Sequence, residues 1–349
     1  MPAHVTRPVV AHPGNWVTTD EICDSVQTHH PEHPRLGVVL RLIRNTGVEQ
    51  RAFHHPLDSP QISGALGIED RNGQAWHDAS ALAEEAATQA LEQAGLQPHD
   101  VTAIVTSNTT SWAAPGLDVH LAGQLGLRPD VRRIALATVG CIGGAQALTR
   151  ATDLVTAHPG ARVLVVVSEA LSTIYHHADT SLQSMIYKGL FGDAAAACIV
   201  TADQLQPGMR IDDTWEYLLP NSRDRYWGRI DASGIHFDST RAATTAPADA
   251  MPALVDWLKQ RDALAPGWAA VHAGGPAILT AAQQGLGLTD AQLQHSRASL
   301  AQVGNLGGSS VLDVLRRTHD TPPADGARGV MLAYGPGFTT AALTGTWVS

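Results

Sequence analysis

Three side chains of this sequence form a set that could carry out acyl transfer: Cys141, His272 and Asn305. Cys141 follows the apolar segment 134–137 and leads into a helix-like pattern, which predicts a strand-to-helix turn at the cysteine. At such a turn, backbone N–H groups and the helix dipole stabilise a thiolate, and neighbouring glycines let a substrate approach closely. Taken alone, this cysteine is equally compatible with a buried, inert thiol.

A second copy of the cysteine motif occurs later in the chain. Residues 302–312 repeat the Val-Gly-X-aliphatic-Gly-Gly pattern of 139–144 and also enter a helix-like pattern, with Asn305 in place of Cys141. Apolar segments on both sides of the two motifs correspond as well, at a period of roughly 165 residues, which indicates a duplicated domain. Two halves related by a pseudo-twofold axis would bring Cys141 and Asn305 to one shared pocket.

His272 ends the predicted strand 268–271 and precedes a Gly-Gly-Pro turn, so it lies at the edge where α/β sheets bind ligands. With Cys141 and Asn305 it completes a chemical set: a thiolate nucleophile, an imidazole that lowers the thiol pKa, and N–H donors for a developing oxyanion. A Cys-His-Asn protease uses the same side chains, but its asparagine orients the histidine. The duplication argues against that arrangement.

Other elements that must position these residues can be read from the patterning. Apolar periodicity predicts a helix over 78–94 that ends at Gly95 and a helix over 250–260, and apolar runs predict strands over 101–106 and 162–168. Residues 44–51 are predicted to form a loop, and residues 215–235 an irregular, hairpin-like segment over the pocket. The histidine pairs 29–30 and 54–55 lack metal-binding spacing and are predicted to be solvated surface.

Composition limits the classes of function. The chain has 349 residues, 44% hydrophobic content and a net charge of −10, without a strongly basic tract, which disfavours nucleic acid as a partner. Its three cysteines, Cys23, Cys141 and Cys198, have no C-x-x-C spacing, which disfavours a disulfide scaffold and a zinc ribbon. Cys198 lies inside an apolar run and is predicted to be inert. The lack of a signal-like or membrane-length apolar segment predicts a cytoplasmic location and no membrane partner.

These motifs resemble the thiolase superfamily and, within it, the type III polyketide synthases, the chalcone-synthase-like enzymes. Residues 272–279, His-Ala-Gly-Gly-Pro-Ala-Ile-Leu, look like the family's His-Pro-Gly-Gly-Pro-Ala-Ile-Leu, and 334–339 look like its terminal Gly-Pro-Gly loop. The resemblance extends from about 44 to 347. It implies an α/β thiolase fold of duplicated halves in five α-β-α-β-α layers, with residues 1–203 carrying the cysteine and 204–349 carrying the histidine and asparagine, and it implies a homodimer.

The activity that the resemblance implies is decarboxylative condensation. Cys141 would accept a starter acyl group from acyl-CoA, and His272 and Asn305 would bind malonyl-CoA and stabilise the enolate formed on loss of carbon dioxide. Repeated extension would give a short polyketide that cyclises to a pyrone or a phenol. No metal or redox cofactor is implied.

The resemblance also implies pocket residues. Phe191 and Phe237 match the family's gatekeepers, Arg51 is aligned with its CoA-phosphate contacts, and the remaining implied pocket residues are Thr109, Trp112, Ala114, Glu169, Gly307, Gly335, Pro336 and Gly337. Gly307 and Gly308 replace a Ser-Ser pair whose hydroxyl can join Thr109 and Glu169 in promoting aldol closure, which favours a 2-pyrone product. Ala114 stands in place of a methionine that reaches into the partner subunit, and Trp112 in place of a small residue.

Two alternatives remain open. A ketoacyl synthase III-like enzyme has the same Cys-His-Asn set and would perform a single condensation, with the acyl group delivered by an acyl carrier protein. A non-condensing acyl-binding protein would keep the fold without the chemistry, although the intact set of three residues argues against it. The sequence leaves the starter, the number of extensions and the mode of ring closure undetermined.

Overall fold

The computed structural model describes residues 2–349 as alternating helices and strands. The helices are α1 (Thr19–His29), α2 (Leu36–Arg44), α3 (Pro60–Ser63), α4 (Ile68–Ala94), α5 (Leu117–Gln124), α6 (Gly143–Ala157), α7 (Leu182–Lys188), α8 (Ala246–Lys259), α9 (Pro276–Leu286), α10 (Asp290–Val303) and α11 (Ser310–Thr318). The strands are β1 (Ala3–Val5), β2 (Val9–Ala11), β3 (Asn15–Thr18), β4 (Gln50–Phe53), β5 (Ala103–Asn108), β6 (Arg132–Ala137), β7 (Arg162–Glu169), β8 (Ala194–Thr201), β9 (Gly208–Leu218), β10 (Tyr226–Asp231), β11 (Gly234–Ser239), β12 (Trp268–Val271), β13 (Arg328–Gly335) and β14 (Thr339–Val348).

Most strands join in one mixed sheet that runs from the first half of the chain into the second. Its order is β12-β13-β14-β9-β1-β8-β7-β5-β6, and β2 also pairs with β8. In the first half, β5 is parallel to β6 and β7, and β8 is antiparallel to β7. In the second half, β12 is parallel to β13, and β14 is antiparallel to it. Strand β1 pairs with both β8 and β9 and thereby joins the halves.

Three helical layers enclose the two halves of the sheet. Helices α6 and α11 lie between them, where Leu148 and Leu312 pack against apolar side chains from both halves. Helices α4 and α5 cover the outer face of β5, β7 and β8, and helices α8, α9 and α10 cover the outer face of β12, β13 and β14. Helix α6 is rich in glycine and alanine because a helix pressed on opposite sides must be narrow and apolar. The predicted α-β-α-β-α arrangement is therefore confirmed.

Several predicted boundaries were wrong. Helix α4 begins at Ile68 rather than at residue 78, although it ends as predicted before Gly95, whose φ is 67°. The predicted loop 44–51 ends in β4, which begins at Gln50. Trp215 belongs to β9 in the main sheet, because its strand pairs with β14, and the hairpin is limited to β10 and β11. Within residues 2–349 no helix is long and apolar enough to span a membrane.

Candidate active site

Cys141 lies in a 3-10 turn, Gly140–Ile142, between β6 and α6. The turn needs an unusual backbone, with φ of 62° at Thr138 and 60° at Gly140. The Gly140 N–H donates a hydrogen bond of 2.9 Å to Thr109 Oγ1, which fixes the turn to the loop after β5. The thiol is 6% exposed, so a substrate must enter the interior to reach it. The predicted strand-to-helix turn is confirmed.

The structure brings the three predicted side chains together. Asn305 Nδ2 lies 3.9 Å from Cys141 Sγ, and Asn305 Oδ1 lies 3.2 Å from His272 Nε2. Asn305 Oδ1 also accepts the Gly307 N–H at 2.9 Å, which assigns Oδ1 as the acceptor and Nδ2 as the donor; Oδ1 lies 4.0 Å from the sulfur. The hydrogen bond to Oδ1 forms in the His272 tautomer that carries its proton on Nε2, and the other tautomer leaves Nε2 free to accept a proton. The Asn305 amide therefore contacts both the thiol and the imidazole.

Glycines allow the two duplicated turns to touch. A Cβ atom on Gly144 would lie 2.4 Å from the Gly308 carbonyl oxygen, so a side chain at this position would force the halves apart. A Cβ atom on Gly335 would lie 2.7 Å from the Val139 carbonyl oxygen. The Gly-Pro-Gly loop therefore packs directly against the cysteine turn. Close packing of three segments is what places residues from both halves in one cavity.

Burial is the main cause of the shifted pKa values in the site. It raises the pKa of the Cys141 thiol to about 12, with a further contribution from the Glu169 carboxyl, while hydrogen bonds from Asn305 and the backbone oppose the shift. It lowers the pKa of His272 to about 4, against the effect of the Asn305 hydrogen bond. The predicted lowering of the thiol pKa is therefore wrong, since desolvation outweighs the hydrogen bonds from Asn305 and the backbone. A thiolate forms here when its proton moves to the imidazole and the resulting ion pair offsets that cost.

The three side chains open on a cavity of about 180 Å³ whose wall is mainly aromatic and aliphatic. Its other lining residues are Tyr187, Leu190, Phe191, Tyr226, Ser239, Ala243, Thr244, Gly274, Ala277, Ile278, Tyr334, Gly335 and Phe338. Phe191 and Gly335 were predicted. Phe237 stands behind the wall, with its ring 6.3 Å from Phe191 and 5.7 Å from Tyr226.

Sequence reasoning missed three cavity tyrosines, Tyr187, Tyr226 and Tyr334. Tyr187 comes four positions before Phe191, and its ring lies 5.3 Å from that of Phe191, so its nearness in the sequence to a predicted pocket residue could have identified it. Tyr334 directly precedes the Gly-Pro-Gly loop and was within the recognised motif. Tyr226 carries no comparable signal, because it reaches the cavity from the β10–β11 hairpin, whose position depends on tertiary packing.

A buried carboxyl lies beneath the cysteine turn. Thr109 N–H donates to Glu169 Oε2 at 3.1 Å, and a Cβ atom on Gly307, where φ is 58°, would lie 3.2 Å from Glu169 Cγ. Burial raises the pKa of Glu169 to about 8, although hydrogen bonds from Thr109 and Thr110 act in the opposite direction. The carboxyl is therefore neutral at pH 7. These residues form a layer below the cavity wall rather than the wall itself.

Four further predicted pocket residues also lie outside the cavity wall. The Trp112 side chain is 73% exposed, and Ala114 on the same loop is exposed as well. The backbone of Trp112 is held by Asn72, whose side chain binds its N–H and its carbonyl oxygen. Neither the Trp112 nor the Ala114 side chain lines the cavity. Pro336 lies against Gly140, and Gly337 supplies the turn of its loop with a φ of 67°.

The prediction that Arg51 contacts CoA phosphate was wrong. Its side chain is fully buried, and the guanidinium donates to the Gly189 carbonyl oxygen at 2.6 Å, to Thr19 Oγ1 at 2.8 Å and to the Val17 carbonyl oxygen at 3.3 Å. Burial lowers the pKa of Arg51 to about 10. An arginine in this position ties backbone segments together and cannot reach a ligand in solvent.

Comparison with known proteins agrees with the site. The family profile of chalcone and stilbene synthases matches residues 54–204 with its N-terminal domain and residues 211–346 with its C-terminal domain. The 1,3,6,8-tetrahydroxynaphthalene synthase of Streptomyces coelicolor is 34% identical, with 99% of this chain and 92% of that protein aligned. The phloroglucinol synthase of Pseudomonas fluorescens is 31% identical, with 98% of both proteins aligned.

Solved structures give the same result. The structure of the tetrahydroxynaphthalene synthase of Streptomyces coelicolor superposes with a TM-score of 0.95 at 32% identity and 99% coverage of both chains. Germicidin synthase of the same organism, a type III polyketide synthase, has a TM-score of 0.94 at 34% identity and full coverage of both chains. The chain belongs to the chalcone and stilbene synthase family and is a type III polyketide synthase, a condensing acyltransferase.

Proposed function

We propose that this enzyme loads a short acyl-CoA starter on Cys141 and extends it with malonyl-CoA. The observation that carries the proposal is that Cys141, His272 and Asn305 line one cavity, with the Asn305 amide in contact with both the thiol and the imidazole at the distances given above. The match to chalcone and stilbene synthases favours this activity over a ketoacyl synthase III-like condensation fed by a carrier protein.

Loading is a transthioesterification. From the tautomer with its proton on Nδ1, His272 Nε2 takes the proton of Cys141 Sγ, and the sulfur attacks the thioester carbonyl of the starter and forms the acyl-enzyme as the C–S bond to CoA breaks. The departing CoA thiolate takes up one imidazolium proton, which leaves His272 neutral with its remaining proton on Nε2. The first turn of α6 contributes N–H groups near the reacting carbonyl, as helix starts do for developing negative charge.

Extension uses the His272 and Asn305 side chains as hydrogen-bond donors. The thioester oxygen of malonyl-CoA accepts hydrogen bonds from His272 Nε2 and Asn305 Nδ2, and the same donors hold the enolate oxygen after carbon dioxide leaves. The enolate carbon then attacks the acyl-Cys141 carbonyl and forms the new C–C bond. The C–S bond to Cys141 breaks, which gives a β-ketoacyl-CoA and the Cys141 thiolate. Each further cycle reloads the lengthened chain on the thiol. These steps proceed without a metal or redox cofactor.

The cavity supports a small product. A volume of about 180 Å³ lined by aromatic rings fits a short aliphatic starter and few extensions. Gly307 adds no hydroxyl beside Glu169, which leaves the aldol-promoting group incomplete and favours closure through oxygen. We therefore assign a 2-pyrone as the main product, with a phenol as the alternative that relatives such as phloroglucinol synthase suggest.

The homodimer is part of the proposal. Strand β6 ends the sheet, and four of its six residues are exposed. Trp112 and Ala114 are exposed on the loop after β5, the strand that pairs with β6. An edge strand and a large indole are surfaces that proteins usually cover. We assign a second copy of the chain as the partner that covers this surface. We also place the enzyme in the cytoplasm.

The test is an incubation of the enzyme with a panel of acyl-CoA starters and labelled malonyl-CoA, followed by mass spectrometry of the products and of the intact protein. We expect Cys141-linked acyl groups and pyrones, and neither with Cys141→Ala. A single-extension product made only from acyl-carrier protein would support the ketoacyl synthase III alternative. Complete absence of acylation by any acyl-CoA would support the acyl-binding protein.

A further inference from the structure

A buried carboxylate anchors the turn that carries the cavity residue Phe191. Asp193 is fully buried, and its carboxylate accepts hydrogen bonds from the His54 N–H at 2.9 Å, His54 Nδ1 at 2.8 Å, the Ser172 N–H at 2.6 Å and Ser172 Oγ at 2.6 Å. Burial by itself lowers the pKa of His54, but the Asp193 carboxylate outweighs it and raises the pKa above its usual value. The prediction that His54 is solvated surface was wrong.

A second anchor holds the other end of the same turn. The Arg51 guanidinium donates to the Gly189 carbonyl oxygen at 2.6 Å, and the Asp193 N–H donates to the Ala52 carbonyl oxygen at 2.9 Å. Arg51 and Ala52 belong to β4, and His54 follows that strand directly. Both ends of the turn 189–193 are therefore fixed to β4 and the residue after it.

The turn 189–193, fixed in this way, holds the backbone of Asn305. The Asn305 N–H donates to the Leu190 carbonyl oxygen at 2.8 Å, and the Gly192 N–H donates to the Asn305 carbonyl oxygen at 3.0 Å. Gly192 allows this contact, because a Cβ atom there would lie 2.6 Å from the Val303 carbonyl oxygen. Any shift of the turn would thus move Asn305 as well as Phe191.

We propose that Arg51, His54 and Asp193 form a positioning clamp that holds Asn305 Nδ2 at the place where the malonyl thioester oxygen must bind. None of the three touches the reacting atoms, so they are positioning residues. The inference rests on the role proposed above for Asn305. A displacement of about 1 Å of a donor in a preorganised site costs on the order of 100-fold in rate, which makes such support functionally significant.

A clamp and a merely structural ion pair predict different results. Loss of a structural pair lowers the fraction of folded enzyme and reduces every step by the same factor. Loss of the clamp moves Asn305, which serves malonyl decarboxylation and condensation, and leaves Cys141 in its own turn, because that turn is held by Thr109 and by glycine contacts. The two half-reactions therefore separate the explanations.

The experiment compares Asp193→Asn, His54→Leu and His54→Asn with the wild-type enzyme. For Asp193→Asn and His54→Leu, we expect kcat for condensation to fall about 10- to 100-fold, while the rate of Cys141 acylation by acyl-CoA changes less than about 3-fold. His54→Asn keeps a donor near the Nδ1 position and should retain most of the activity. Hydrogen exchange of the Asn305 and Gly192 amides should be faster in the two damaging variants.

His55→Leu is the matched control. His55 is the neighbouring residue, and its Nε2 lies 2.7 Å from Asp78 Oδ2, but Asp78 belongs to α4 and not to the turn. We expect both half-reactions to stay near wild-type rates in this variant. Ser172→Ala, which removes a single hydrogen bond from the carboxylate, replaces Asp193→Asn if that variant does not fold, and should give a smaller loss of the same kind.

Equal loss of acylation and condensation in the clamp variants, or no loss of either, would overturn the inference. Loss in His55→Leu as large as in His54→Leu would also overturn it. Failure of the proposed function is distinguishable, because in that case the wild-type enzyme itself is not acylated at Cys141. Unchanged amide exchange at Asn305 in Asp193→Asn contradicts the clamp independently of any activity.

Discussion

The two copies of the duplicated turn share a shape but are positioned by different means. The Cys141 turn follows β6, an exposed edge strand, and the Asn305 turn follows α10, which packs against β12. Both continue through a 3-10 turn into a central helix. Asn305 is bonded through its backbone to Leu190 and Gly192, whereas the Cys141 turn is held through Thr109 and close glycine contacts.

This difference shows how one repeated turn can serve two chemical roles. A nucleophile must be held rigidly where the substrate can reach it. The cysteine turn lies at the start of α6, and its glycines pack closely against the other half. An oxyanion donor must be placed relative to that nucleophile, and Asn305 receives its position from the turn 189–193 in the opposite half. Each half therefore contributes one of the two residues, and the opposite half contributes part of the packing and hydrogen bonding that holds that residue in place.

The largest expected effect separates the two roles. Cys141→Ala should abolish acylation and condensation, because no nucleophile remains, whereas Asn305→Ala should keep acylation and lower condensation about 10²- to 10³-fold, as loss of one oxyanion donor does. Intact-protein mass spectrometry and steady-state kinetics measure the two steps. Cys198→Ala is the control, since Cys198 is buried in β8 with a pKa raised to about 12 by burial and should be dispensable. Equal loss of acylation in both active-site variants would contradict the division of roles.

The next effect concerns the contact between the turns. Gly144→Ala places a Cβ atom against the Gly308 carbonyl oxygen and should lower the free energy of unfolding by about 2–4 kcal/mol, because backbone must move. Gly73→Ala is the matched control in α4, where the described residues leave open space around the new Cβ atom, and it should stabilise the protein by about 0.5–1 kcal/mol. Urea unfolding measures both. A tolerated Gly144→Ala would show that the halves do not depend on this contact.

A pH effect is expected from the carboxyl between the two turns. Because the pKa of Glu169 is raised to about 8 in the folded protein, the native state holds a proton that the unfolded chain releases near pH 4.5. The free energy of unfolding should therefore fall as pH rises from about 5 to 8. Glu169→Gln has no proton to release, so its free energy of unfolding should not show this fall. The difference in free energy of unfolding between Glu169→Gln and wild type should therefore shift in favour of the variant by about 2–4 kcal/mol from pH 5 to pH 8. Parallel stability curves for the two proteins would contradict the raised pKa.

The smallest expected effect comes from two cavity tyrosines. The Tyr334 hydroxyl is buried and has no hydrogen-bond partner within residues 2–349, so Tyr334→Phe should stabilise the free enzyme by about 1 kcal/mol. Tyr187 Oη donates to Ser239 Oγ at 2.9 Å, so Tyr187→Phe should cost about 1 kcal/mol. Thermal unfolding without substrate compares the pair. Destabilisation by Tyr334→Phe would reveal a partner for that hydroxyl.

The site and the fold class were predictable from the sequence because their signals are local. Glycine patterns, apolar runs and strand ends indicated the turns of Cys141 and Asn305 and the position of His272, and the repeat indicated that they meet. The beginning of α4 was missed, since residues 68–77 contain a glycine and many polar groups that weaken a helical pattern.

What the tertiary structure alone decided is which side chains are buried and with what partner. Arg51 and Trp112 show this most clearly: an arginine expected at a ligand is fully buried, and a tryptophan expected in the pocket is 73% exposed. Arg51 binds the Gly189 carbonyl oxygen, 138 residues away in the chain. The conformation of a turn depends on its own few residues, whereas the burial of a side chain depends on segments that meet only after folding.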